Sequence, residues 1–269
     1  NLMKQIKIRG AQFFYEELGP KKEETILMIH GHPFDHTMWQ YQYEILKGYH
    51  ILIPDLRGYG KSDYKFEKIF IEEQALDLRL MLDELEINNV HLIGLSMGGQ
   101  IIVEFLRLFP EKVKSLIMCA SSPTAENEQS YKKRMELAER IRKIGMKEYS
   151  IEDIHKYLHP QTIEAKNEVY NHLLAMMQNT PTEGAIASHK GRAERRDNFG
   201  YLREIKVPSL VIAGEQDFFF PVVQIKEVAS QIKKSEFRII PDTGHLPNME
   251  KPKVFNSIIS DFYRKIVDA

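Results

Sequence analysis

The chain has 269 residues, 43% hydrophobic and 28% charged, with a formal net charge of -1 from 37 basic and 38 acidic side chains. That length supports one large domain, or one domain with an insertion, around a sizeable core. Balanced charge offers no field of one sign to nucleic acid or an acidic membrane, and no apolar run approaches the roughly 20 residues of a membrane helix.

The single cysteine, Cys119, has no partner for an internal disulfide, which points to a reducing compartment. It ends the apolar run Leu116-Ile117-Met118 and reads as a buried structural thiol. No signal-peptide pattern opens the chain. Met3 reads as the native start after a two-residue remnant, Asn1-Leu2. The expectation is a soluble cytoplasmic protein, monomer or homodimer, with a small-molecule substrate and neither nucleic acid nor membrane as partner.

Lys4 to Leu18 alternates loosely around Gly10, as two short strands joined by a turn do. Gly19-Pro20 and a charged loop follow. Thr25 to Ile29 is continuously apolar, the mark of a strand covered on both faces, and it ends in His30-Gly31-His32-Pro33. A helix is expected from about Thr37 to Leu46. The strand His50 to Pro54 closes in the tight loop Asp55-Leu56-Arg57-Gly58-Tyr59-Gly60-Lys61-Ser62. Ile71, Ala75, Leu78, Leu82 and Leu85 then mark one face of an amphipathic helix.

Val90 to Leu95 is a strand that breaks into Gly94-Leu95-Ser96-Met97-Gly98, with helical spacing from Ile101 to Phe109 and a stop at Pro110. Val113 to Ala120 is another strand. Parallel strands need crossovers, which helices supply, so a mostly parallel α/β sheet is expected. From 126 to 200 no strand-like run occurs. Leu137, Ile141 and Ile144 share one helical face, and Val169, Leu173, Met176 and Met177 another. Residues 124–200 are therefore read as a helical cap, or lid, inserted into a core formed by 1–123 and 201–269. Strands return at 207–213 and 237–240, ending in Gly214-Glu215-Gln216-Asp217 and Asp242-Thr243-Gly244-His245. Helices follow at about 222–232 and from Phe255 to Ile266.

The punctuation carries chemistry. Ser96 lies where strand turns directly into helix, a geometry in which Gly94 and Gly98 avoid collisions and the serine backbone is strained. A serine hydroxyl needs a base beside it to act as a nucleophile. His245 follows the last strand, at the carboxyl edge where open parallel sheets place their sites. Asp217 is the orienting acid, since it also ends a strand. The Leu116-to-Ala120 strand offers no carboxylate before Glu126, Glu215 ranks below Asp217, and Asp242 lies too close to His245 in sequence. Met97 supplies one oxyanion amide. The second comes from the His30-to-Phe34 loop, where Pro33 has no N–H. The donor is His32 or Phe34, with His32 preferred.

Phe34, Leu173, Met176 and Met177 are candidate pocket-lining residues, although burial of the cap's own helix is the preferred reading for any single residue of the cap. Arg192, Arg195 and Arg196 could steer an acidic substrate, but a solvated face balanced by Glu194 and Asp197 is the preferred reading. His30, His32 and His36 are read as structural or pocket-lining rather than as a metal site, and no cofactor is expected.

Taken together, the His30 loop, the Asp55-to-Ser62 loop, Gly94-to-Gly99, Gly214-to-Asp217 and Gly244-His245 resemble the α/β-hydrolase superfamily, in its esterase, haloperoxidase and dehalogenase-like branch. The resemblance spans nearly the whole chain except the insertion. It implies an eight-stranded, mostly parallel sheet flanked by helices, with a helical cap after the sixth strand. It also implies that Ser96, Asp217 and His245 form a triad, with His32 and Met97 as the oxyanion amides. It argues against dehalogenation, since those members place an aspartate where this chain has Ser96. It argues less strongly against carbon–carbon bond hydrolysis, whose enzymes usually show Gly-Pro-Gly after the first His-Gly. The family more often has Phe, Trp, Gly or Asn at the place of His32. The expected function is a carboxylesterase on a small ester. The rivals are a carbon–carbon hydrolase, lactonase or perhydrolase on the same residues, or a receptor of the same fold.

Overall fold

The computed structural model describes residues 3–21 and 24–268. Asn1 and Leu2, read above as a remnant, lie outside the described residues, as do Lys22 and Glu23 of the charged loop.

Among the described residues, eight strands form one sheet: β1 (Lys4–Ile8), β2 (Ala11–Leu18), β3 (Thr25–Ile29), β4 (His50–Pro54), β5 (Val90–Leu95), β6 (Val113–Cys119), β7 (Ser209–Gly214) and β8 (Ser235–Ile240). Their order is β1-β2-β4-β3-β5-β6-β7-β8. The β1–β2 and β2–β4 pairs are antiparallel, and every pair from β4 to β8 is parallel. This is the mostly parallel sheet expected of the superfamily.

Side chains alternate across the sheet because the strand period is two. Leu27, Leu92, Leu116 and Val211 face a core completed by α1 (Ile71–Glu84), α2 (Met97–Leu108) and α7 (Val222–Gln231). Ile26, Ile93, Ile117 and Leu210 face the opposite core, completed by α9 (Pro252–Val267). With both faces covered, the middle strands are mostly apolar, and β3, β5 and β7 are buried along their whole length. Cys119 is fully buried there, and burial raises its thiol pKa. No helix among the described residues is long and apolar enough to cross a membrane.

The expected helix over Thr37–Leu46 is instead a 3-10 segment, His36–Gln42, followed by turns. Tertiary bonds set its shape. Asp35 Oδ1 accepts from Thr37 N at 2.8 Å, and Gln42 Nε2 donates to Asn248 O and Asn256 Oδ1 of the C-terminal helices. The Asp55-to-Ser62 loop is pinned in the same way. Asp55 accepts from the His36 and Lys61 amides, and buried Arg57 makes a two-point pair with Asp77 on α1, both bonds 2.9 Å.

Between β6 and β7 lie α3 (Glu128–Asp153), α4 (Pro160–Ala165), α5 (Glu168–Asn179) and α6 (Thr182–Ala193). Asn127 and Ser130 form a capping box at the start of α3, and Gly145, at φ 78°, kinks it. Ala138, Ile141 and Met146 of α3 pack on Ala185 and Ile186 of α6. Helix α6 also lies directly on the segment before α1: a Cβ at Gly191 would stand 2.0 Å from the Ile69 carbonyl oxygen. Overpacking of this kind costs about 1–3 kcal/mol, and each kcal/mol is roughly 2–4 °C for a chain of this size. Gly191→Ala should therefore lower the calorimetric Tm by several degrees, and an unchanged Tm would contradict this packing.

Candidate active site

The loops after β3, β5, β7 and β8 all leave the carboxyl edge of the sheet, where crossovers expose a crevice. Ser96 stands between β5 and α2 at φ 56°, ψ -119°. Its amide donates to Cys119 O at 2.9 Å, and its carbonyl accepts from Ser121 Oγ at 2.7 Å. These bonds to the end of β6 hold a conformation that a non-glycine residue otherwise avoids. The Met97 amide sits in the first turn of α2, where amides have no intrahelical acceptor.

Asp217 and His245 meet across the ends of β7 and β8. The His245 Nδ1–H donates to Asp217 Oδ2 at 2.9 Å. The other carboxylate oxygen, Oδ1, accepts from the Phe219 and Phe220 amides at 2.8 and 3.2 Å, so both oxygens are directed. Gln216 N donates to Thr243 O and ties the two loops together. The imidazole is walled by aromatic rings: Phe220 is stacked at 5.9 Å and Phe219 lies at 4.8 Å. Ser96, His245 and His32 line one cavity of about 480 Å³, within the range of small-molecule sites.

Of the two amides proposed for the β3 loop, that of Phe34 is engaged, donating to Gly31 O at 3.1 Å. The loop abuts the serine: a Cβ on Gly31 would lie 3.2 Å from Ser96 Cβ. Tyr59 Oη donates to Ser188 Oγ of α6, so the 2.6 Å bond between His32 Nδ1 and Tyr59 Oη is one in which the ring N–H donates. Burial, then His189 and Arg192, hold the His32 pKa well below the ordinary value, so the ring is neutral. It meets the His189 ring edge-on at 4.3 Å. His30 is structural: its Nδ1–H donates to Gly31 O and its Nε2 accepts from Leu56 N.

Two expectations about the pocket are corrected. Phe34, Leu173, Met176 and Met177 do not line this cavity. They are buried in the sheet-face core with Trp39, Leu158 and Met249, Phe34 from the loop after β3 and the other three from the apolar face by which α5 anchors the insertion. The arginines, for their part, are not one solvated face. Arg192 is buried and Arg195 nearly so, and both line the cavity. Only Arg196 turns away, donating to Asn198 Oδ1. Glu194 pairs with Lys68, and Asp197 accepts from Phe199 N, so neither balances Arg192.

Sequence reasoning passed over Arg134, Tyr157 and the Phe218-Phe219-Phe220 run, all of which line the cavity. The three aromatics directly after Asp217 were a readable signal. Arg134 lies in a helix dense with charge and gave none. Asp35, His36 and Asp55 form the one cluster of potential metal ligands found among the described residues. Its groups bond to one another and to nearby amides, the His36 Nδ1–H donating to Asp55 at 2.7 Å.

Two measurements probe this geometry. Glycine tolerates the Ser96 conformation better than alanine, and strain there is worth about 1–3 kcal/mol. Ser96→Gly should be the more stable of the two variants by about 1 kcal/mol in urea unfolding, and equal midpoints would contradict the strain. Burial opposes ionisation of Glu126, but Arg134 and Arg195 outweigh it and lower its pKa to about 2 from 4.5. A depressed folded pKa gives stability that is complete above the unfolded value and is lost as pH falls. The stability gap between wild type and Glu126→Gln should therefore shrink as pH drops from about 4.5 toward 2. A gap independent of pH would contradict the pairing.

Comparison with known proteins agrees with this architecture. Residues 24–252 match the family model described as alpha/beta hydrolase fold. A thermophilic esterase from Thermogutta terrifontis, solved with malate bound, superposes with a TM-score of 0.93 at 31% identity over 99% of each chain. A putative 2-succinyl-6-hydroxy-2,4-cyclohexadiene-1-carboxylate synthase from Bacillus subtilis is 26% identical, over 96% of each chain. The 3-oxoadipate enol-lactonase 1 of Acinetobacter baylyi is 27% identical, over 92% of this chain and 91% of its own. The relatives named here include an esterase and a lactonase, and with a family model covering most of its length, the chain belongs to the α/β-hydrolase fold family of enzymes.

Proposed function

We propose that the protein is a serine carboxylesterase acting on a small ester through an acyl-enzyme on Ser96. The observation that carries this reading is the Asp217–His245 hydrogen bond at the wall of the cavity that also receives Ser96. With Nδ1–H given to Asp217, the other imidazole nitrogen is the basic one and takes the serine proton. Ser96 Oγ attacks the ester carbonyl, and the His32 and Met97 amides hold the oxyanion. The charge that develops on the imidazole is balanced by a carboxylate fixed by two backbone amides. His245 returns the proton to the departing alcohol, and water then repeats the sequence in reverse to release the acid.

The insertion, residues 124–200, acts as the cap that closes the acyl site from solvent. The esterase of T. terrifontis supports this choice among hydrolases by its extent of similarity. A lactone is an internal ester that the same steps would open, and the enol-lactonase relative makes lactones the second class to assay.

The test is a panel of p-nitrophenyl esters and simple lactones followed spectroscopically. Ester turnover should fall about 10⁴-fold or more in Ser96→Ala, and by a comparable factor in Asp217→Asn through the wrong imidazole tautomer. Full activity in Ser96→Ala would overturn the mechanism.

A further inference from the structure

The wall of the cavity away from the sheet is strongly cationic. Lys133, Arg134, Lys156, Arg192 and Arg195 line it against only two carboxylates, Glu126 and Asp153. Most of that charge is spoken for. Glu126 Oε1 accepts from Arg134 Nε at 2.7 Å and from Arg195 at 2.5 Å, and Lys156 pairs with Asp153 at 2.7 Å. Arg192 differs. It is 6% exposed, its Nε is buried without a hydrogen-bond partner, and among the described residues no carboxylate lies within ion-pair distance of it. A buried, unpaired guanidinium is unfavourable for the fold itself. Burial, then the nearby Arg134, lower its pKa to about 9, so it remains charged at neutral pH.

Its position ties it to the reacting centre. Arg192 lies one helical turn after His189 on α6, so the two side chains share a face. The His189 ring meets that of His32 at 4.3 Å. Arg134 donates to His189 Nδ1 at 3.2 Å, which leaves the hydrogen on Nε2, a second buried donor without a partner. Both residues line the cavity that Ser96 enters from the sheet side, and each keeps one buried donor without a partner.

We propose that Arg192, assisted by His189, is a specificity subsite for a carboxylate carried by the substrate, so that the preferred ester is a half-ester of a dicarboxylic acid or a close equivalent. This rests on the esterase reading of Ser96 and adds the substrate class to it. The planar guanidinium fork matches a carboxylate in two-point geometry. A site whose buried donors need a partner rejects the uncharged analogue, because binding it leaves those donors unpaired. Hydrolysis adds water across the ester and yields the free dicarboxylate and the alcohol.

The experiment compares monoethyl succinate, glutarate and adipate with ethyl pentanoate, hexanoate and heptanoate, by acid release in a pH-stat. In the wild type at least one half-ester should exceed its uncharged counterpart ten-fold or more in kcat/KM. Arg192→Gln should reduce that ratio at least ten-fold, chiefly through KM, and Arg192→Lys should restore part of it. Arg192→Gln should melt no lower than wild type, since it loses no ion pair, whereas an arginine that served only structure would lower the Tm.

Calorimetric titration of glutarate into Ser96→Ala protein, with and without Arg192→Gln, reads the subsite apart from turnover. If no ester is hydrolysed yet glutarate binds through Arg192, the esterase reading fails and the subsite stands. If esters are hydrolysed with no preference for charge, or the preference survives Arg192→Gln, the subsite is overturned.

Discussion

Strands β3 to β8 can be joined only by crossovers, because they run parallel, and the crossovers must cover both faces, because the strands are apolar on both. That constraint fixes most of the molecule. The crossover helices α1, α2 and α7 lie on one face, and the β3-to-β4 crossover with Met38 and Trp39 lies on the other, where the C-terminal α9 completes the cover. The loops at the carboxyl edge are then the segments free to carry polar chemistry in a shared crevice. Ser96, Asp217 and His245 are far apart in sequence, yet each needs only to follow its strand to reach that edge. The sheet does the positioning, and the loops supply short, directed bonds such as the two amides on Asp217 Oδ1.

The insertion between β6 and β7 obeys a different rule. It has no strand to follow, so its placement depends on side-chain packing. Helix α5 gives its Leu and Met face to the core beneath, and α6 presses its glycine backbone on the segment before α1. What remains facing the crevice is the polar side of α3 and α6, rich in arginine. The same fold therefore presents an apolar, aromatic wall around His245 and a cationic wall opposite. An anionic substrate suits that asymmetry better than a fatty one.

Legibility in the sequence follows the same division. The sheet was readable because continuous apolar runs between glycine-rich turns allow few alternatives, and the strand-end positions of Ser96, Asp217 and His245 came with it. The segment after Asp35 was read as a helix running to Leu46, but it is a 3-10 turn that ends at Gln42, held by bonds to Asn248, which is remote in sequence. The short helix Pro247–Glu250 spans too few residues for periodicity to register. Leu173, Met176 and Met177 were assigned to the pocket because apolar periodicity marks which side of a helix is buried, but not what it is buried against. Arg192 was read as solvated because Glu194 and Asp197 adjoin it in sequence. Both lie beyond the end of α6 and bond elsewhere, and only the three-dimensional neighbours show that the guanidinium is left without an ion pair.

The central claim is that Ser96 is the nucleophile of a site completed by His245 and Asp217. The most direct measurement is covalent trapping: incubation with an activated organophosphate ester, then intact-protein mass spectrometry and peptide mapping. The account predicts one adduct per chain, on the peptide containing Ser96, formed in proportion to lost esterase activity and much more slowly in His245→Ala. A stable adduct on another residue, or loss of activity with Ser96 unmodified, would contradict it.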